Sequence, residues 1–269
     1  MSELLSLIRQ KRKPVIGMVQ LPPLASGAHY AGVGFDAVLE TALGEARILA
    51  DNGVDALMIQ NLGDIPTAMR ATTAQVAWMT RITAEISRLF GKPTGLNLLE
   101  NDAEAMFAIA SATAADFVRI KIFVGAMMTP FGMETAQAHT AIKARTSWNA
   151  ARTAIFADVH DRTGTPIATG GFVEDVEFAV RLGGADGLVI TGKSYAETLL
   201  MVAAAREKYV EVPILVGGGV TAANFGEVTR TADGAIVSTS MKNSGSAVGV
   251  FVPEKVKEFM AAAEKARAA

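Results

Sequence analysis

Cysteine is absent from this sequence, aromatic residues make up 6% of it, and histidine occurs only three times in 269 residues. The missing thiols exclude disulfides and thiolate chemistry. Three histidines make a histidine-rich zinc cage an unexpected feature. Lysine and arginine form no basic stripe and the formal net charge is −2, so no nucleic-acid partner is expected. No apolar run approaches the length that spans a bilayer. The opening stretch MSELLSLIRQKRKP is too briefly apolar for a signal peptide, and its basic residues follow that stretch. These absences lead to the expectation of a soluble, cytoplasmic protein. Apolar residues are abundant, at 50% of the chain, which is enough for a large core.

Those apolar residues fall into eight short runs: VIGMVQL (15–21), ALMIQN (56–61), TGLNLL (94–99), FVRIKI (117–122), AIFADV (154–159), GLVITG (187–192), PILVGG (213–218) and GAIVSTS (234–240). They lack strict polar alternation, as strands buried on both faces do. Amphipathic segments between them predict helices over 36–52, 73–90, 134–150 and 195–208, with a further one at 253–266. A short helix capped by Ser2 is expected at the start. Eight strand–helix units predict an α/β fold, a single (β/α)8 TIM barrel over residues 1–269. A weak internal repeat agrees. Asp55, Asp116, Asp186 and Asp233 each precede an even-numbered strand, and Pro14, Pro93 and Pro213 precede odd-numbered ones.

In such a barrel, strand starts serve stability and strand ends carry chemistry. Gly217, Gly218 and Gly219 end the seventh run, and Ser238, Thr239 and Ser240 end the eighth. Bare backbone and small hydroxyls at those two places predict a phosphate site, helped by a short extra turn near 243–247. The remaining rim supplies candidate binding residues Gln20, Gln60, Asn61, Asn97 and Thr191, and candidate catalytic residues Arg119, Lys121, Asp158, His160 and Lys193. Arg119 with Lys121, and Asp158 with His160, stand two apart on a strand and are expected to point the same way. Asp158 with His160 suits proton transfer or two metal ligands. No cofactor is required by this set, while a divalent cation held by Asp158 and a phosphate is kept as an option. His29 and His139 are assigned to a loop and a helix, away from chemistry. Asp102 is expected to cap a helix and Asp64 to stabilise a turn. Two long loops, 22–36 and 125–140, are read as lids.

The ordered set VIGMVQLPPL, QNLGD, LNLLENDA, FVRIK, FADVH, VITGK, PILVGGGVT and IVSTSMKNSG resembles the BtpA/SgcQ family over about residues 14–245. The resemblance implies a phosphate-binding TIM barrel. It also implies either a link to photosystem I biogenesis or a nucleosidase-type activity. Asn97, Arg119, Asp158, His160 and the glycine-rich segment match the family pattern. Gln20 stands where histidine is usual, Gln60 where glutamate is usual and Lys121 where asparagine is common. Those departures remove an imidazole and a carboxylate and add an ammonium.

Two function classes follow. The first is an enzyme that binds a small phosphorylated sugar or nucleoside-type ligand and cleaves an N-glycosidic or C–C bond, with an aldolase-like imine on Lys121 or Lys193 as a variant. The second is a non-catalytic biogenesis or assembly factor. Either is expected to work as a homo-oligomer.

Overall fold

The computed structural model describes residues 1–268. Eight parallel strands close into a barrel in the order β1 (Val15–Gln20), β2 (Ala56–Gln60), β3 (Thr94–Asn97), β4 (Phe117–Ile120), β7 (Ala154–Asp158), β9 (Gly187–Ile190), β10 (Ile214–Val216) and β11 (Gly234–Val237), which returns to β1. All eight coincide with the apolar runs, because a strand covered on both faces has to be apolar at nearly every position. Outside the barrel, β5 (Ala126–Thr129), β6 (Gly132–Thr135) and β8 (Thr165–Ile167) form a small antiparallel sheet.

Helices α2 (Phe35–Asp51), α3 (Thr73–Phe90) and α7 (Tyr195–Lys208) lie where the apolar spacing predicts them. Thr72 and Gln75 form a reciprocal capping box at the start of α3. Asp102 caps α4 (Ala103–Thr113) through the Ala105 N–H at 3.1 Å. The expected helix over 134–150 is shorter, since α5 covers Ala138–Ser147. The reason is the preceding hairpin: β5 turns into β6 at Thr129–Gly132, with Gly132 at φ +121°. The stretch read as a lid after β4 is therefore paired sheet. No helix among the described residues is long and apolar enough to cross a membrane.

The fourfold aspartate repeat is a structural device at the strand starts. The main-chain N–H of Asp55, Asp116, Asp186 and Asp233 donates to the carbonyls of Val15, Thr94, Ile155 and Ile214 at 3.0, 2.8, 2.9 and 2.7 Å. Three of the carboxylates also accept from the same preceding strand, at Val15, Ile155 and Ile214. Each of those three then meets arginine: Asp55 with Arg267, Asp186 with Arg145 and Asp233 with Arg206.

Asp116 differs. It accepts from the Ser2 hydroxyl at 2.7 Å and from the N–H groups of Glu3 and Leu4 at 2.6 and 2.9 Å, so α1 (Glu3–Arg9) takes the place of an arginine. This anchor lays Leu4, Leu5 and Ile8 against the inward side chains Ile16, Met58, Phe117, Phe156 and Leu215. The helix plugs the strand-start end of the barrel, and the opposite end opens into a cavity.

Leu4 is fully buried in that plug. Leu4→Ala should lower the unfolding free energy by about 2–5 kcal/mol in a urea titration, and a loss below about 1 kcal/mol would show that the helix does not carry the closure.

Candidate functional site

The strand ends surround a cavity of about 520 Å³. Met18 and Ile236 line it from inside the barrel, and its walls come from β1, β2, β4 and β11 and from the segments that follow β3, β7, β9 and β10. Parallel pairing places Gln20 beside Gln60 and Gln60 beside Asn97. Their side chains form a hydrogen-bonded row: Ser238 Oγ donates to Gln20 Oε1 at 2.7 Å, Gln20 Nε2 to Gln60 Oε1 at 3.4 Å, Gln60 Nε2 to Asn97 Oδ1 at 2.7 Å, and Asn97 Nδ2 to the Arg119 carbonyl at 2.8 Å. Gln20 and Gln60 reach the cavity; Asn97 stands behind them as their support.

Arg119 and Lys121 both face the cavity. The Arg119 guanidinium forks onto Asp158, Nε to Oδ2 at 2.8 Å and Nη2 to Oδ1 at 2.7 Å, with both side chains almost wholly buried. Burial alone would lower Arg119, but Asp158 and Asp161 outweigh it and hold the guanidinium above its ordinary value. Burial pushes the Asp158 carboxyl up, against the pull of Arg119. These tendencies oppose each other, and the fork decides for the ionised pair, because a proton on Asp158 would face an N–H donor. Lys121 Nζ donates to Thr163 Oγ1 at 3.0 Å and lies 3.4 Å from Asp161. Burial would raise Asp161, yet Lys121 and Arg119 prevail and hold its carboxyl below the usual range.

The glycine end is built from main chain. A side chain on Gly217 would start 2.4 Å from Thr191 Oγ1 and 3.2 Å from Arg119 Nη2, filling the cavity. Gly219 has φ +75°, in the left-handed region that favours glycine. Asn224 pins this turn by accepting from the Thr221 N–H and donating to the Gly219 carbonyl. A 3-10 turn follows β11 directly, at Thr239–Met241 rather than near 243–247. The N–H groups of Gly218, Gly219 and Thr239 have no acceptor among the described residues. Thr191 Oγ1 is buried on the same wall and is likewise without a partner.

Several expected site residues lie elsewhere. Asp158 and His160 both border a neighbouring recess rather than the central cavity, but they take different partners: Asp158 is held by Arg119, while His160, past the end of β7 at φ +56°, is turned toward α6 (Phe172–Glu177). His160 Nε2 meets Asp175 Oδ2 at 2.7 Å in that recess. Lys193 is exposed outside the cavity, where its main-chain N–H donates to Glu197 at the start of α7. Asn61 is fully buried and bridges Asp64, Glu100 and the Leu99 N–H. Burial, with Asp64 nearby, pushes the Glu100 carboxyl up. Both oxygens of Asp158 are engaged by Arg119. Among the described residues no group of three or more acidic or histidine side chains is arranged to hold a metal.

Sequence reasoning passed over Asp161, Arg162 and Thr163, which all line the cavity. Their only signal is their place in the run DVHDRTG just after β7. Arg162 brings its guanidinium carbon within 3.5 Å of the point where Gly218 would carry a Cβ, and it is exposed with no carboxylate partner among the described residues. Lys242 was also unread as a core residue. Its Nζ donates to Gln20 Oε1 at 3.1 Å and the Ala247 carbonyl at 2.9 Å, faces Glu45 at 3.4 Å, and lies 4.8 Å above the Phe251 ring. Burial pushes Lys242 down and Glu45 up.

The BtpA family model matches residues 11–265. Photosystem I biogenesis protein BtpA of Synechocystis sp. is 33% identical over 256 residues, covering 94% of this chain and 88% of that protein. An uncharacterized protein of Thermococcus kodakarensis is also 33% identical, covering 96% of this chain and 97% of the relative. Among solved structures, N-(5'-phosphoribosyl)anthranilate isomerase from Pyrococcus furiosus aligns with a TM-score of 0.57 at 16% identity, covering 93% of this chain and 98% of that one. KGPDC from Streptococcus mutans aligns with a TM-score of 0.58 at 13% identity, covering 94% and 97%. At such identities the shared property is the barrel fold.

The buried fork makes a quantitative prediction. Arg119→Met should cost about 3–5 kcal/mol by stranding Asp158, and adding Asp158→Leu should recover much of that loss. Strictly additive losses in a urea-based double-mutant cycle would show that the two do not act as a buried unit.

Proposed function

The chain belongs to the BtpA family, and on that footing we propose that its cavity binds a small phosphorylated sugar or nucleoside-type ligand and cleaves an N-glycosidic or C–C bond of it. One observation carries the reading. The N–H groups of Gly218, Gly219 and Thr239, which have no acceptor among the described residues, border the same cavity as the guanidinium of Arg162, which has no carboxylate partner among them. Oriented amides and one free cation suit a phosphate dianion. The hydroxyls of Ser238 and Ser240 flank the same corner, each already donating within the protein, so they shape the turn.

With phosphate at that corner, the sugar lies over Met18 toward Gln20, Gln60 and Thr191. The reacting bond then falls near Arg119, Lys121 and Asp161. Asp161 is the carboxylate that faces the cavity, and it stays ionised there, so it takes the charge-stabilising part assigned in sequence to Asp158. Lys121, beside that carboxylate, supplies a proton or stabilises developing negative charge. An ammonium held by Asp161 and Thr163 favours this over imine formation, which needs a free amine. Lys193, being outside the cavity, leaves Lys121 as the amine an imine route would use.

The second reading is a non-catalytic assembly factor. Its support is the hairpin β5–β6, which exposes Met128, Phe131 and Met133 to solvent, with the family link to photosystem I biogenesis beside it.

Ribose 5-phosphate at about a hundred times its dissociation constant should stabilise the protein by about 2.7 kcal/mol in thermal unfolding. Arg162→Met should weaken that binding about tenfold or more, and Gly218→Val should affect the phosphate ester more than ribose. Equal stabilisation by ribose and ribose 5-phosphate would remove the phosphate assignment.

A further inference from the structure

Beside the central cavity lies a smaller recess of about 150 Å³, and we propose that it is a second ligand site, for a single uncharged or cationic nitrogen ring. The Arg119–Asp158 fork stands between the two spaces: Arg119 faces the central one, Asp158 the recess, and Lys121 borders both.

The recess holds a prepared imidazole. Asp175 Oδ2 meets His160 Nε2 at 2.7 Å and also accepts from the Thr169 hydroxyl. Phe172, in α6 (Phe172–Glu177), packs edge-on against the ring with centroids 5.6 Å apart. Carboxylate, hydroxyl and aromatic edge together hold one ring orientation. His160 Nδ1 has no partner among the described residues, so it remains to donate to or accept from a ligand. Two non-glycine residues lining the recess, His160 at φ +56° and Ala168 at φ +51°, take the left-handed conformation. A π-turn, Phe178–Leu182, begins at its edge. Both features concentrate at ligand sites because they cost energy that ordinary packing does not require.

Charge and size select the ligand class. Of the acidic groups lining the recess, Asp158 is answered by the Arg119 fork and Asp175 meets His160, while the ammonium of Lys121 is already engaged by Asp161 and Thr163. Glu174 has no cationic partner among the described residues. An anion is therefore disfavoured, and a group with N–H donors is favoured. Val124, Met127, Ile167 and Phe178 supply apolar walls for a flat ring. A space of about 150 Å³ admits a six-membered ring. This site does not depend on phosphate binding in the central cavity.

Only three histidines occur in the chain, and His29 and His139 are exposed, so His160 can be followed by its own imidazole proton resonance. The full-length protein would be titrated with cytosine and acetate, the His160 signal being assigned by its loss in His160→Gln. Cytosine should shift that signal saturably and leave the other two unchanged, while acetate should have no saturable effect. Glu174→Gln, at an exposed position, should weaken cytosine binding about tenfold. A His160 signal indifferent to cytosine, one equally responsive to acetate, or an unchanged affinity in Glu174→Gln would each overturn the proposal.

Discussion

A guanidinium and a carboxylate withdrawn from water hold the functional end of this barrel together. Removing two such charges from solvent is costly, and close, well-aligned pairing offsets the cost. Arg119 and Asp158 pair through two parallel hydrogen bonds that engage both carboxylate oxygens. Their union has consequences on both sides. It occupies Asp158, so the carboxylate open to the main cavity is Asp161 from the following loop. It also separates that cavity from the recess where His160 lies, and the Arg119 carbonyl anchors the amide row through Asn97.

The two ends of the barrel obey different rules. At the strand starts the same aspartate clip recurs four times, and three of the four carboxylates meet arginine. Repetition suits a stabilising task, since every strand start has the same main-chain groups to satisfy. The fourth clip binds α1 instead, which closes the interior with leucine and isoleucine. At the strand ends nothing repeats. Amides gather at one corner, cations and Asp161 at another, and uncharged side-chain amides between them. That asymmetry gives the open end of the barrel a direction, from main-chain amides to charged side chains.

Gln20 shows how the pieces are coupled. Its carbonyl oxygen accepts from both Ser238 and the buried ammonium of Lys242, while its amide nitrogen begins the row toward Gln60. An uncharged side chain at this point avoids a further charge beside Lys242 and Glu45. The glutamines at positions 20 and 60 thus give the row a fixed hydrogen-bond direction without adding a titratable group.

Periodicity made the barrel legible from residues alone: eight doubly covered strands read as apolar runs, and α3 and α7 began and ended where caps and spacing placed them. Arg119 and Lys121 were legible as a pair because β4 keeps its alternation through them. The rule failed after Asp158, where one left-handed residue sent His160 toward α6. It had no purchase on Asp161, Arg162 and Thr163, which lie in a loop without a period, nor on the hairpin turning at Gly132. By itself, then, the sequence determined the strands, most of the helices, the repeated aspartates at the strand starts and the small residues at the glycine corner, since each rests on local backbone preference and burial. The tertiary structure alone decided which carboxylate faces the cavity, that His160 and Lys193 stand outside it, and that Lys242 is buried, because these depend on loop directions and on partners brought together from distant parts of the chain.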